Sequence, residues 1–254
     1  MILFSFMYLN PVRANPDVTA FVDGGSVAIG TSETTLATLP TSFPAGNNFV
    51  IAIVQLDSSA TATITTGALY LRRVGSIALM SNYYTIYLSS ATFGRGRWYA
   101  LMGIDTGAGA SPTYEVKVAG ASATGVSGEA KILAISGVTG AQQESSEVDI
   151  GTSETTLVTL ATSLPAGDNV VLAISQTINT GNKQSLSYMR LKRSATLAES
   201  QYPLYHGVPD GDEYMQVQLI PYLDSGAPAS PTYTVTTAEG ESGSKIKGVA
   251  KIVA

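Results

Sequence analysis

The sequence is short of most groups from which active sites are made. It has no cysteine, which removes disulfides, thiol nucleophiles and cysteine-ligated zinc in one step. It has one histidine, His206, and one tryptophan, Trp98. Charged residues make up 13% of the chain, about half the usual share of roughly 25%, so the surface is largely neutral. Such a surface suits a protein covered by its neighbours, or one living where carboxylates are often protonated. Acidic residues outnumber basic ones, 19 against 14, for a net charge of −5. No cluster of Lys or Arg is dense enough to neutralise a run of phosphates, which argues against a nucleic-acid partner. Long hydrophobic runs are missing too. The N-terminal "MILFSFMYL" is apolar for about nine residues, short of the roughly 20 needed to cross a bilayer. It also lacks the basic lead of a secretory signal, because Arg13 follows the apolar stretch.

What the sequence does contain is a duplication. "IGTSETTL" stands at Ile29–Leu36 and again, letter for letter, at Ile150–Leu157. Aligning Ser26–Leu56 with Glu147–Thr177 matches about two thirds of positions without a gap. The agreement continues through "IDTGAGASPTY" against "LDSGAPASPTY" and "GEAKILA" against "GVAKIVA". A unit this long exceeds the 20 to 50 residues of solenoids and propellers, so each copy is expected to be a domain with its own core. The predicted layout is an N-terminal apolar arm over 1–24, one repeat over 25–136, a flexible polar linker over 137–146 and a second repeat over 147–254.

Helical periodicity is weak. Short β-branched and aromatic runs such as "FVIAIVQL", "ALYLRRV", "YYTIYL", "TYEVKVA" and "EAKILAI" recur between Gly, Pro, Asn and Ser. This predicts an all-β chain of two tandem β-sandwich, jelly-roll-like domains with about eight strands each. The repeated words have structural readings. "FPAGNN" and "LPAGDN" form turns ahead of strands expected at Phe49 and Val170. The Pro of each "SPTY" opens a strand. Asp105 and Asp224 are placed to cap Asx turns, and Lys131 and Lys251 to lie near a sheet edge or on a packed last strand.

Few residues suggest chemistry. His206 has no counterpart in the first copy and is expected to cap a loop. Asp210, Asp212 and Glu213 around Gly211 have the oxygen density of a calcium loop, but they lack the full twelve-residue motif, and a solvated hairpin tip with a D-G turn is the better account of them. Glu33 and Glu154, with Ser32, Thr34, Thr35 and Thr152 beside them, recur without any histidine to activate a hydroxyl. Their duplication suits a strand edge better than two active sites. Arg95, Arg97 and Trp98 in "FGRGRWY" form the one basic-aromatic cluster, a candidate contact for a glycan or a partner subunit. No phosphate loop or metal-ligand spacing is present. The reading is non-enzymatic, with no cofactor beyond that weak calcium candidate.

The stretches "LPAGDNVVLAISQ", "LKRSATLAESQYPLY", "LDSGAPASPTYTV" and "GVAKIVA" resemble the jelly-roll virion surface and turret proteins of viruses from hot-spring archaea. The resemblance covers both repeats and brings no catalytic residue. It implies a structural protein located in a virion, a capsid, turret or decoration subunit, whose partners are copies of itself and other virion proteins. The alternatives are an extracellular filament subunit, or a carbohydrate- or receptor-binding sandwich that recognises a host-surface glycan. The arm gives assembly a mechanism: Ile2, Leu3, Phe4, Phe6, Met7, Tyr8 and Leu9 suit addition as a strand to a neighbour's sheet, the alternative being an arm folded back on its own first domain. Their burial would supply on the order of 10 kcal/mol before ordering costs.

Overall fold

A computed structural model describes residues 19–59, 64–76, 78–88, 97–180, 185–200, 204–206, 216–239 and 246–254. All regular structure among them is β. The first half carries β1 (Thr19–Ile29), β2 (Thr34–Pro40), β3 (Gly46–Ser58), β4 (Ile64–Thr66), β5 (Leu69–Arg73), β6 (Ala78–Ser81), β7 (Ile86–Leu88), β8 (Arg97–Ala108), β9 (Thr113–Val118) and β10 (Val126–Ser136). The second carries β11 (Gln142–Glu144), β12 (Val148–Ile150), β13 (Thr155–Ala161), β14 (Gly167–Asn179), β15 (Ser185–Lys192), β16 (Thr196–Glu199), β17 (Leu204–His206), β18 (Gln216–Ala227), β19 (Thr232–Glu239) and β20 (Ile246–Val253).

In the first half, sheet 1 has the order β1-β10-β3-β8 and sheet 2 the order β2-β9-β5-β6, with β4 and β7 as a separate pair. Leaving out that pair, the eight remaining strands are nested: first with last, second with seventh, third with sixth, fourth with fifth. This is the jelly-roll connection. The second half repeats the order as sheet 3, β11-β20-β14-β18 with β12 also on β20, and sheet 4, β13-β19-β15-β16 with β17 also on β15. The chain is therefore all-β with jelly-roll sandwich topology.

Alternation along the strands builds the core. On β3 the side chains of Val50, Ala52, Val54 and Leu56 are buried, and they meet Ala130, Ile132 and Ala134 of β10 across the ladder. Leu36 and Leu39 on β2, Leu69 and Leu71 on β5, and Tyr114, Val116 and Val118 on β9 close the sandwich from the other sheet. Each large aliphatic side chain so buried contributes roughly 1.5 to 3 kcal/mol. A separate cluster in the second half uses Val171, Ala173, Met189, Leu191, Tyr233, Val235 and Ile252. Glycine matters at the kink in β1, where the register slips between Asp23 and Ser26. Gly25 takes φ +65, and a Cβ on Gly24 would sit 2.4 Å from the Leu36 carbonyl oxygen. At the matching place the second half breaks its strand into β11 and β12, and Ser145 bonds Ala250 there instead.

The halves meet asymmetrically: the outer face of sheet 3 lies across the open edge of the first sandwich, where β6 and β8 end their sheets. Leu172, Ile174, Ile178 and Val253 join the first core cluster from this face. Polar side chains on it complete the edge. The Gln142 amide accepts from the Ile104 N–H at 2.8 Å and donates to the Ile104 carbonyl at 2.9 Å, standing in for a neighbouring strand. Lys251 Nζ donates to the Leu79 carbonyl at 2.6 Å, and Gln176 Oε1 accepts from the Tyr83 N–H at 2.7 Å. Edge backbone groups left bare are costly when buried and invite mispairing when exposed; here a sheet face covers them.

Several expectations change. β1 starts at Thr19, so residues 19–24 belong to a sheet rather than to an arm. The segment read as a flexible linker contains β11, paired with β20. Strands β3 and β14 begin at Gly46 and Gly167, three residues before Phe49 and Val170, because the turn glycine already pairs, Gly46 with Ala108 and Gly167 with Ala227. Of the two places expected for Lys131 and Lys251 the second holds: they lie on β10 and β20, the last strand of each half, inside their sheets rather than at an edge.

Candidate interaction surfaces

The polar residues that recur in both halves are engaged in holding the sandwiches together. Asn48 Nδ2 donates to the Tyr114 hydroxyl at 2.8 Å, and that hydroxyl donates to Asp105 Oδ2 at 3.1 Å. Arg73 closes the group with an ion pair to Asp105 at 3.1 Å. The second half repeats it: Asn169 to Tyr233 at 3.1 Å, Tyr233 to Asp224 at 2.9 Å, and Arg193 beside Asp224 at 3.4 Å. Burial, the largest influence, pushes the Tyr233 phenol up to about 12 and the Tyr114 phenol up as well. Asp105 and Asp224 therefore do not cap Asx turns. The amides two residues on are bonded from the paired strand instead: Asn47 accepts from the Gly107 N–H at 3.0 Å and Asp168 from the Gly226 N–H at 2.9 Å. The two "SPTY" prolines precede β9 and β19 as expected.

The "TSETT" carboxylates are equally occupied. Glu33 accepts from Lys117 at 2.7 Å, with Arg72 at 3.9 Å. Glu154 accepts from Thr236 at 2.7 Å and Lys192 at 2.9 Å, with Arg190 at 3.5 Å. The Thr236 hydroxyl first, and then the Lys192 ammonium, lower Glu154 to about 2. The nearby hydroxyls serve local turns: Thr34 donates to the Ser32 carbonyl and Thr155 to that of Ser153. These contacts join strands within each half; the Thr236 hydroxyl that meets the Glu154 carboxylate stands where the first half has Lys117 on Glu33.

His206 is the last residue of β17, opposite Ser185. Asp210, Asp212, Glu213, Arg95 and the residues Ile2, Leu3, Phe4, Phe6, Met7, Tyr8 and Leu9 are outside the described residues. Among the described residues no cluster of three or more His, Asp or Glu is placed to hold a metal ion, and no helix is long and apolar enough to cross a membrane. Arg97 and Trp98 open β8 as consecutive residues, so they project to opposite faces of sheet 1. Arg97 turns toward the interior beside Tyr99, whose phenol is pushed up to about 12 chiefly by burial. Trp98 lies on the outer face and is 58% exposed. Arg97 and Trp98 are thus divided between two faces.

That outer face is more apolar than alternation on a solvated sheet would give. One ladder row runs Phe21, Leu133, Ile51, Met102 and the next Lys131, Ile53, Ala100. Phe21, at its rim, is 50% exposed. Sequence reasoning missed this face, because its rows come from four strands distant in the chain.

No protein-family model matches the chain, and no curated protein does. Among solved structures the chain is similar to the STIV MCP, at 11% identity over 93% of this chain and 97% of that one, with a TM-score of 0.35. It is similar to a chain described with the triple jelly roll fold and turret assembly in an archaeal virus, at 10% identity over 89% of this chain and 59% of that one, TM-score 0.29. It is also similar to the CBM22-1-CBM22-2 tandem domain of Paenibacillus barcinonensis Xyn10C, at 9% identity over 92% of each chain, TM-score 0.25.

Proposed function

We propose that this chain is a non-enzymatic structural protein of a virion, a capsid, turret or decoration subunit that assembles through contacts between β-sandwiches. The observation that carries the reading is the contact inside the chain, where the face of one sandwich completes the edge of another through Gln142, Gln176 and Lys251. The duplicated polar residues among the described ones support it, since they hold strands together. The low charge and the resemblance of the repeats to virion surface and turret proteins point the same way. On this reading the halves are two copies of one domain, and Met1–Leu9 add as a strand to a neighbouring subunit. Negative-stain images of purified protein should show ordered oligomers or particles, and deletion of Met1–Asn10 should weaken them. A monodisperse monomer at high concentration would overturn the reading.

An extracellular filament built from the same contacts is the nearest variant, separated by labelling purified virions with antibody. A second reading, a glycan- or receptor-binding module, is favoured by the exposed Trp98 alone; binding to a glycan array that Trp98→Ala abolishes would establish it. Calcium at Asp210, Asp212 and Glu213 predicts a melting temperature that rises with added calcium and drops with chelator.

A further inference from the structure

Each half presents the same two surfaces, and the chain uses one of each. The first half contributes its β6–β8 edge and the second the outer face of sheet 3. Left over are the rim of the outer face of sheet 1, where Phe21 and Trp98 are exposed around buried Ile51, Ala100 and Met102, and the β16–β18 edge of the second half.

The unused face matches the used one rung by rung. In the second half Ile174 lies between Lys251 and Leu219, and in the first half Ile53 lies between Lys131 and Ala100. One rung on, Gln176 with Val217 corresponds to Gln55 with Trp98. Two residues that reach across the internal contact thus have counterparts in Gln55 and Lys131. The acidic partner is kept as well, Glu144 beside Lys251 and Asp23 beside Lys131. Val217 packs against the other half, while its counterpart Trp98 is bare. Phe21 replaces Gln142, so at that point packing replaces a hydrogen bond.

The unused edge matches in turn. Ile104, opposite Phe49, is 4% exposed beneath the second half, whereas Leu223, opposite Val170 on β18, is 41% exposed. The counterpart of Met102 is Pro221, paired with Leu172 as Met102 is with Ile51. The Met102 N–H points out of the sheet toward Met80 Sδ, so proline there removes an outward donor. The edge is closed to strand addition but open to a packed face.

Resting on the assembly reading, we infer that copies of this chain join head to tail, the outer face of sheet 1 in one copy covering the β16–β18 edge of the next and repeating the contact within the chain. Such a heterologous contact closes into a ring or continues as a filament according to its rotation.

The test uses two full-length variants. Phe21→Glu spoils the face and Leu223→Glu the edge, both at exposed positions, with circular dichroism confirming that each folds. Each alone is expected to be monomeric by sedimentation under conditions where the unaltered chain assembles. Mixed in equal amounts, they should form a dimer and stop, because one intact face meets one intact edge. With Trp98→Phe added to the Phe21→Glu copy, dimer formation should shift the remaining Trp98 emission to the blue. Assembly by both variants, or a mixture that stays monomeric, would overturn the head-to-tail contact while leaving assembly itself standing. An unaltered chain that never assembles would remove both readings. Greater quenching of Trp98 in the monomer after deletion of residues 1–18 would show the face covered by the chain's own N-terminus, and would also overturn the inference.

Discussion

Asp105 illustrates how far a single residue's role can lie from its local context. Its place before "TGA" suggests a turn cap, but the partners that claim it, Arg73 and Tyr114, come from β5 and the start of β9. Short polar motifs report turn chemistry well and long-range bonds not at all, so the prolines of "SPTY" were legible and the aspartates were not. The two copies give an internal control. Asn48 is fully buried, whereas Asn169 is only half-buried and open to water. Tyr114→Phe should therefore cost about 1 to 3 kcal/mol, the range for stranding buried polar groups. Tyr233→Phe should cost less, and denaturant unfolding of the two variants ranks them. Glu154 yields a pH effect at the same scale. Its folded-state pKa of about 2 lies below the ordinary 4.5, so the unfolded chain takes up the proton first as pH falls. Its stabilising contribution is complete above about 4.5 and disappears on acidification toward 2. Glu154→Gln should flatten that part of a melting-temperature profile against pH.

Among the elements, β3 and β14 share much of their sequence but differ in burial. The first alternates, while the second is buried on both faces from Val171 to Asn179. That the runs are strands was readable from β-branched periodicity; which would be covered twice was not, since coverage depends on the neighbouring half. β11 was missed for a related reason. "QQE" has no apolar alternation, and Gln142 is there to bond the backbone of β8 rather than to fill a core. Gln142→Ala should leave β8 fraying at one rung. Hydrogen exchange at the Ile104 amide is expected to speed up markedly, with the amides that pair β3 and β10 little changed.

For the whole molecule, the clusters that form the two sandwiches are distinct, but the first includes Leu172, Ile174, Ile178 and Val253 from the second half. The duplication was plain in the letters, and so was an all-β class. The asymmetry of docking was hidden, because nearly identical words occupy both the covered and the uncovered positions. Shared apolar packing should couple the halves in unfolding. Calorimetry is expected to show one transition, and Ile174→Ala should lower it as a unit, by about 2 to 5 kcal/mol of stability. Two separate transitions, with only the later one moved by the substitution, would contradict that coupling.

The second half grips main-chain atoms: the carbonyl of Leu79, both peptide groups' poles at Ile104, and the amide of Tyr83. A peptide group is the same whatever side chain it carries. The gripping residues are consequently bound to their identities, whereas the gripped strands are free to drift in composition without losing the joint. In an evolving lineage, or an engineered array of fused copies, variation should accumulate on the receiving side and stay sparse at Gln142, Gln176 and Lys251.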